Sequence, residues 1–326
     1  MFLKYGCSSA FIGIIIGIYF LPSPIDPEPF IFERPPPALV GPLMVNKKLS
    51  RGQRLFEGLL RGPESFTADE TGNLYTGTVD GKLWRIRDGQ ASFITQMGKN
   101  LSECGVDGIP FKFLNGLELS RNGTIYFTDS SSKWGRRHHR YEVIETNHLG
   151  RLLEYDPVTR TARTLLDGLY MANGIVISPQ EDYILIAETS ICRILRYWIT
   201  GDKAGVKEVF MDNMPGYPDN IRVSTAGTYR VGFATTRFPG FFTPFLDAIG
   251  PYPAIKRFIA KVIPLSAYGA LLRKHGLVLE VSNTGEILES FHDPDGSVTW
   301  AISDVYEHNG KLYLGSTDLP FLVVIH

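Results

Sequence analysis

Four short stretches set an acid or an amide beside glycine or proline: Gly62-Pro63-Glu64-Ser65, Phe113-Leu114-Asn115-Gly116, Met171-Ala172-Asn173-Gly174 and Pro218-Asp219-Asn220. Taken singly, each reads as turn chemistry, since Asn-Gly and Pro-Asp supply the dihedrals and local acceptors that turns need. Taken together they share a register. Glu64, Asn115, Asn173 and Asp219 each stand eight or nine residues ahead of a recurring strand. Two carboxylates and two amide oxygens converging on one axis form the oxygen-rich donor set that a hard cation such as calcium prefers. Other chemistries lack their motifs. There is no G-x-S-x-G nucleophile elbow, no H-E-x-x-H and no paired C-x-x-C. His138 and His139, in the run Gly135-Arg136-Arg137-His138-His139-Arg140, read as part of a solvated basic loop. His292, in Phe291-His292-Asp293-Pro294-Asp295-Gly296, reads as a structural hydrogen-bonding residue.

The recurring strand is the element that must position these groups. One phrase, a turn leading into a short alternating strand that ends in small or polar residues, appears at 72–78, 123–129, 182–188, 227–233 and 310–316. Several copies are followed by a second strand, as at 81–86, 150–155 and 193–197. Strand, turn, strand at blade-length spacing predicts a β-propeller, in which small sheets stack around a central channel. A β-sandwich would not repeat one phrase at that interval. The last interval is lengthened by an insertion at about 238–276. Its opening is aromatic and proline-rich. Within it, Ile255, Phe258, Ile259 and Val262 fall at helical spacing, with Lys256, Arg257 and Lys261 off that face. These residues predict an amphipathic helix.

The rest of the chain sets the context. Residues 5–21 carry no charge and follow Lys4, so they predict a transmembrane signal-anchor (1–21) with its N-terminus cytosolic and the remainder luminal or extracellular. The apolar run ends in Tyr19-Phe20-Leu21-Pro22, which suits an uncleaved anchor better than a cleavage site. Residues 22–50, with eight prolines between Pro22 and Pro42, predict an extended stalk. The propeller domain then spans 51–326. The 33 Lys+Arg nearly cancel the 34 Asp+Glu, which argues against a nucleic-acid partner. Three cysteines are too few for a disulfide framework. Two sequons, at Asn100 and Asn122, are expected to be glycosylated if the domain is luminal.

Longer motifs make the reading more specific. Residues 125–134 (IYFTDSSSKW), 150–156 (GRLLEYD), 213–221 (NMPGYPDNI) and 292–296 (HDPDG) resemble the strictosidine synthase-like family. The resemblance implies a six-bladed propeller, a type II membrane topology and arylesterase-like activity. Its wider superfamily contains calcium-dependent hydrolases of esters and lactones, whose metal ligands are similar in kind and placement to Glu64, Asn115, Asn173 and Asp219. Asp219 would then also serve as general base. Only Val106 to Lys112 fills the place where the family carries roughly one more blade, so one blade is expected to be shortened or missing. The leading expectation is a calcium-dependent hydrolase of a small-molecule ester or lactone. The alternatives are a non-catalytic binding propeller and a condensing enzyme of the strictosidine synthase type.

Overall fold

A computed structural model describes residue 13 and residues 16–96, 105–240 and 243–326. Among these residues, twenty-two strands run in chain order. They are β1 (Gln53–Leu55); β2–β5 (Pro63–Ala68, Leu74–Thr78, Lys82–Arg87, Gln90–Gln96); and β6–β7 (Gly105–Val106, Ile109–Pro110). Then come β8–β11 (Leu114–Leu119, Ile125–Asp129, Gly150–Asp156, Thr161–Leu169) and β12–β15 (Ala172–Ile177, Tyr183–Glu188, Arg193–Trp198, Lys207–Met211). The last are β16–β19 (Gly216–Val223, Tyr229–Thr236, Gly276–Val281, Ile287–Asp293) and β20–β22 (Ile302–His308, Lys311–Ser316, Leu322–Ile325). They form five four-stranded antiparallel blades and one two-stranded hairpin. The final blade is closed by the N-terminal strand: β1 pairs with β22 at Gln53–Val324, Arg54–Val323 and Leu55–Leu322. Joining first strand to last ties the two ends of the propeller domain together.

Each repeated phrase is the second strand of a blade (β3, β9, β13, β17, β21). The six blades that the resemblance implies are therefore corrected to five, and the expectation that one blade is shortened or missing is met. Among the described residues, the segment between β5 and β8 holds only the hairpin β6–β7 where a sixth sheet would stand. The consequence is visible in the packing. β8 packs on β12, β12 on β16, β16 on β20 and β20 on β2. Among the described residues no comparable packing joins β2 to β8. On that open side Leu117 and Leu119 of β8 are 62% and 63% exposed. The hairpin covers only the outer part of this face, where Arg151 donates to the carbonyls of Val106 and Ile109 and Leu153 is fully buried.

Elsewhere the blades bury both faces. In β13 all six residues are buried; Ile184 and Ile186 face the second blade, and Tyr183 and Leu185 face the fourth. This is why that strand reads as a continuous apolar run rather than an alternation. Each such side chain contributes roughly 1.5–3 kcal/mol through burial. The single described cysteine, Cys192, is buried in the core between the third and fourth blades.

Two insertions cover one end of the channel. The first, between β9 and β10, carries α1 (His139–Glu145), so the basic run around His138 is helical rather than loop. The second, between β17 and β18, carries α2 (Phe245–Ile249), α3 (Pro253–Val262) and a 3₁₀ segment (Leu265–Leu271). The predicted amphipathic helix is α3, and it buries a lysine. Ile255 and Val262 are exposed, whereas Lys256 and Ala260 are buried. Lys256 Nζ donates to the carbonyls of Glu28 and Glu145 and to Thr146 Oγ1, and burial lowers its pKa to about 8. These hydrogen bonds permit a lysine to take the inner face.

Residues 22–50 lie along the propeller rather than standing off as a spacer. Ile25, Leu43 and Leu49 are buried, and Asn46 Nδ2 donates to the Ser290 carbonyl at 2.8 Å. Most of the apolar segment 5–21 is outside the described residues, as is Asn100. Among the described residues no helix is long and apolar enough to cross a membrane.

Candidate functional site

The four residues singled out in the sequence occupy one structural position in four blades. Each sits in a β-bulge near the start of an inner strand. The irregularities fall at Pro63/Ser65, Leu114/Leu117, Ala172/Ile175 and Pro218/Ile221. A bulge adds an unpaired residue and re-aims its side chain. Here Glu64, Asn115, Asn173 and Asp219 all turn into a single chamber of about 530 Å³ at the channel mouth. The fifth blade has the same bulge, at Ile302/Val305, with Ser303 in the equivalent place. Sequence reasoning missed Ser303 because no acid, amide, glycine or proline marks it. Its hydroxyl donates to the Glu64 carbonyl at 2.7 Å and so fixes the neighbouring bulge.

The glycines after Asn115 and Asn173 have a different purpose from the one expected. Neither has a positive φ. A Cβ on Gly116 would stand 2.7 Å from the Asn173 carbonyl oxygen, and one on Gly174 would stand 2.4 Å from Asn220 Cα. They are glycines because the bulge of one blade lies against the bulge of the next. Hydroxyls at the ends of second strands complete the frame. Ser130 Oγ donates to the Ala172 carbonyl and accepts from Asn115 Nδ2; Thr189 Oγ1 donates to the Pro218 carbonyl and accepts from Asn173 Nδ2. Each amide thus commits its NH₂ to a hydroxyl, which leaves its oxygen for the chamber.

Electrostatics at the floor favour added positive charge. Asp219 is buried, and desolvation together with the nearby Glu64 carboxylate pushes its pKa well above the carboxylate range. Arg136, on the first insertion, pairs with Glu64 and partly offsets this. The Oδ1 of Asn173 is buried without a hydrogen-bond partner. A buried acceptor lacking a donor is costly, and a coordinated cation is one way to satisfy it. Two carboxylates and two amides, one with its oxygen orphaned, fit a hard cation. Below them the channel is closed by Arg222. It pairs with Asp304 at 2.9 Å and Glu118 at 3.4 Å, and donates to Ser65 Oγ at 2.7 Å. The site is therefore a cup open at one end. Its upper walls are apolar, with Val143, Ile144, Phe238, Leu246 and Tyr268 supplied by the two insertions. His292 stays outside it, bonded to His275 and Ser290, in the structural role the sequence assigned.

Comparison with known proteins places this cup in a lineage. Residues 115–202 match the family model described as strictosidine synthase, and residues 41–86 match strictosidine synthase-like, N-terminal. The adipocyte plasma membrane-associated protein of Rattus norvegicus is 39% identical, over 98% of this chain and 97% of the relative. That of Homo sapiens is also 39% identical, over 95% of this chain and 86% of the relative. The chain belongs to the strictosidine synthase-like family. As a member of that family it is short. The rat alignment runs over 372 positions, while 98% of this 326-residue chain is about 320, so about 50 positions of the relative have no counterpart here. A propeller blade is roughly 40–50 residues long, so the shortfall is of blade size. Among solved structures, regucalcin from Agrobacterium tumefaciens aligns with a TM-score of 0.54 at 11% identity, over 83% of this chain and 92% of regucalcin. A luciferin-regenerating enzyme aligns at 0.53 and 12%, over 85% and 94%. These two likenesses show the shared propeller fold of this strictosidine synthase-like chain.

Proposed function

We propose that the chain is a calcium-dependent, arylesterase-like hydrolase of small esters or lactones. The observation that carries the proposal is the set of four bulges that aim Glu64, Asn115, Asn173 and Asp219 at the floor of one apolar cup, with Asn173 Oδ1 buried and unpartnered. The solved structure described as calcium-binding regucalcin shares the fold and is consistent with a cation in such a cup. When bound, calcium would supply Lewis-acid polarisation of the substrate carbonyl and charge stabilisation of the oxyanion. Glu64, Asn115, Asn173 and Asp219 would hold it. Arg136 orients Glu64, and Ser130 and Thr189 orient the two amides. The Asp219 carboxylate accepts the proton of the attacking water and returns it to the leaving oxygen, so that ester and water become acid and alcohol. The apolar walls exclude bulk water and hold the substrate's organic body. Turnover of 2-naphthyl acetate that requires calcium and stops in excess chelator is the expected result. Folding and calcium affinity without turnover would favour the non-catalytic binding propeller, and activity persisting in chelator would remove the metal from the mechanism.

The same reading extends to location. The relatives' names associate them with the plasma membrane. Here the uncharged segment 5–21 leads directly to Lys261, whose Nζ donates to the carbonyl of Tyr19 at 2.7 Å. Ile16, Tyr19, Phe20 and Leu21 are exposed there, as are Ile255 and Val262 on α3. We place the insertion side of the propeller toward the membrane, the domain on its luminal or extracellular face, and glycans on Asn100 and Asn122.

A further inference from the structure

Two carboxylates that line the chamber are held by arginines, and two further arginines line it without such a partner. Glu64 is held by Arg136, and Asp318 by Arg140 at 3.0 Å. Arg137, just ahead of α1, and Arg273, at the end of the second insertion, also line the chamber, and both are exposed. Among the described residues, the ion pairs at this mouth use Arg136 and Arg140, and neither Arg137 nor Arg273 has a carboxylate within pairing distance. The Arg273 guanidinium lies 5.4 Å from the Phe238 ring centroid, which steadies its plane beside the opening. Between this mouth and the acid-and-amide floor stand the apolar walls already described. The cavity is thus polar and electron-rich at the bottom, apolar in the middle and cationic at the top.

We infer that the cup selects amphiphilic esters or lactones that carry a carboxylate, or a like oxyanion, at the end remote from the reacting carbonyl, with Arg137 and Arg273 as its counter-ions. The inference rests on the hydrolase reading for the position of the carbonyl; the anion is assigned by charge. A guanidinium presents a planar fork of donors that matches a carboxylate and is more weakly hydrated than an ammonium. Two such groups brought to one opening by different blades give a directional anion site. At the rim of a partly desolvated cavity their attraction is less screened than on open surface. A cationic or neutral substrate of the same shape gains nothing from them.

Calorimetry on the full-length protein separates this subsite from the hydrolytic reading, because it needs no turnover. The probes are 2-naphthoate and its neutral isostere 2-naphthamide. The naphthoate is expected to bind at least ~10-fold tighter, a difference of about 1.4 kcal/mol. That advantage should shrink with added salt, fall to about unity in Arg137→Gln/Arg273→Gln and be largely kept in Arg137→Lys/Arg273→Lys. Similar preference for 2-naphthalenesulfonate and 2-naphthyl phosphate is expected of a guanidinium pair. Equal affinity for naphthoate and naphthamide overturns the inference, as does a preference that survives the double glutamine variant. A preference abolished by chelator in the wild type places the anion on a metal instead, and also overturns it. Turnover of neutral 2-naphthyl acetate, measured in parallel, tests the hydrolase alone: its absence with the anion preference intact counts against that reading and not against the arginine pair.

Discussion

At the residue scale the floor of the cup rests on one charge and one absent methyl group. Asp219 brings a full negative charge that the two asparagines lack. Asp219→Asn keeps the shape, so it isolates electrostatics from packing. It is expected to weaken calcium binding by at least ~10-fold, to suppress aryl acetate turnover and to leave the β-sheet circular dichroism unchanged. Isothermal titration of the two proteins checks this, and equal affinities would dismiss the site. Gly174 tests the geometry. Its added Cβ would meet Asn220 Cα at 2.4 Å and the Asp219 carbonyl oxygen at 2.7 Å, both backbone atoms that cannot rotate away. Gly174→Ala is therefore expected to cost about 1–3 kcal/mol in unfolding free energy and to move the third and fourth bulges apart, lowering turnover. A denaturant titration together with the esterase assay measures both effects. Gly123 offers the contrast, since its φ of +90° marks a true hairpin turn and only Pro157 Cγ, at 3.8 Å, stands near its missing Cβ.

At the element scale the second insertion is fastened by a buried pair of histidines. His275 Nε2 and His292 Nδ1 are 2.9 Å apart, and His275 packs edge-on against Phe238 at 4.7 Å between ring centroids. Burial is the main cause that lowers both pKa values to about 4, joined at His275 by the charges of His292 and Arg273. The folded protein thus holds these rings neutral while the unfolded chain protonates them near the ordinary histidine value of about 6.5. Between these pH values the unfolded state binds more protons. The stability contributed is complete above pH 6.5 and is lost as the pH falls toward 4. Because Phe238 also lines the cup, acid should loosen this wall before it unfolds the propeller. Thermal melts from pH 7 to 4 should show a declining midpoint, with a shallower decline in His275→Gln/His292→Gln. Parallel declines would show that other groups set the acid limb. The neighbouring helix α3 is amphipathic as its spacing predicts, but its inner face is not purely apolar: Lys256 is buried there by donating three hydrogen bonds, while Ile255 and Val262 face outward.

At the scale of the whole molecule, the open sector and the covered end point in different directions. The gap between β2 and β8 exposes Leu117 and Leu119, but the Arg222 ion pairs reach Glu118 of β8 and donate to Ser65 of β2, so the two flanks remain tied through the channel axis. That tie is how a propeller with five blades keeps Glu64 in the same cup as the other three residues. The insertion side carries the exposed apolar residues of α3 beside Ile18 and Tyr19, whose carbonyls accept from Lys261 Nζ. Removal of residues 1–21 is expected to yield a protein that still floats with anionic liposomes, and Ile255→Asp/Val262→Asp should release it. A truncated protein that stays in the soluble fraction would confine membrane attachment to the N-terminal segment. Asn122 is exposed at the β8–β9 hairpin turn. Glycosidase treatment of membranes should shift the mobility of the full-length chain, and an unshifted band would reverse the topology.

The sequence by itself determined the repeat. Turn-and-strand chemistry is local, so the second strand of every blade could be read from five recurring phrases, and the equal distance from each phrase to Glu64, Asn115, Asn173 and Asp219 put those residues in one register. Sequence motifs also led to the family. Three things were decided only by the tertiary structure. Which glycines serve close approach rather than turns depends on what lies across the blade interface, and nothing local records that. Arg136 and Ser303 reach Glu64 from 72 and 239 residues away, Ser130 and Thr189 come from the ends of neighbouring strands, and ordinary residue types gave no sign of it. The blade count was settled by whether β6–β7 could pair into a sheet. Five strand phrases and the short Val106–Lys112 segment pointed to a lost blade while family likeness pointed to six, and it is the pairing of β6 with β7 alone, among the described residues, that leaves five. Strand identity follows from neighbours in sequence; ring closure and the chemistry at its axis follow from contacts between blades.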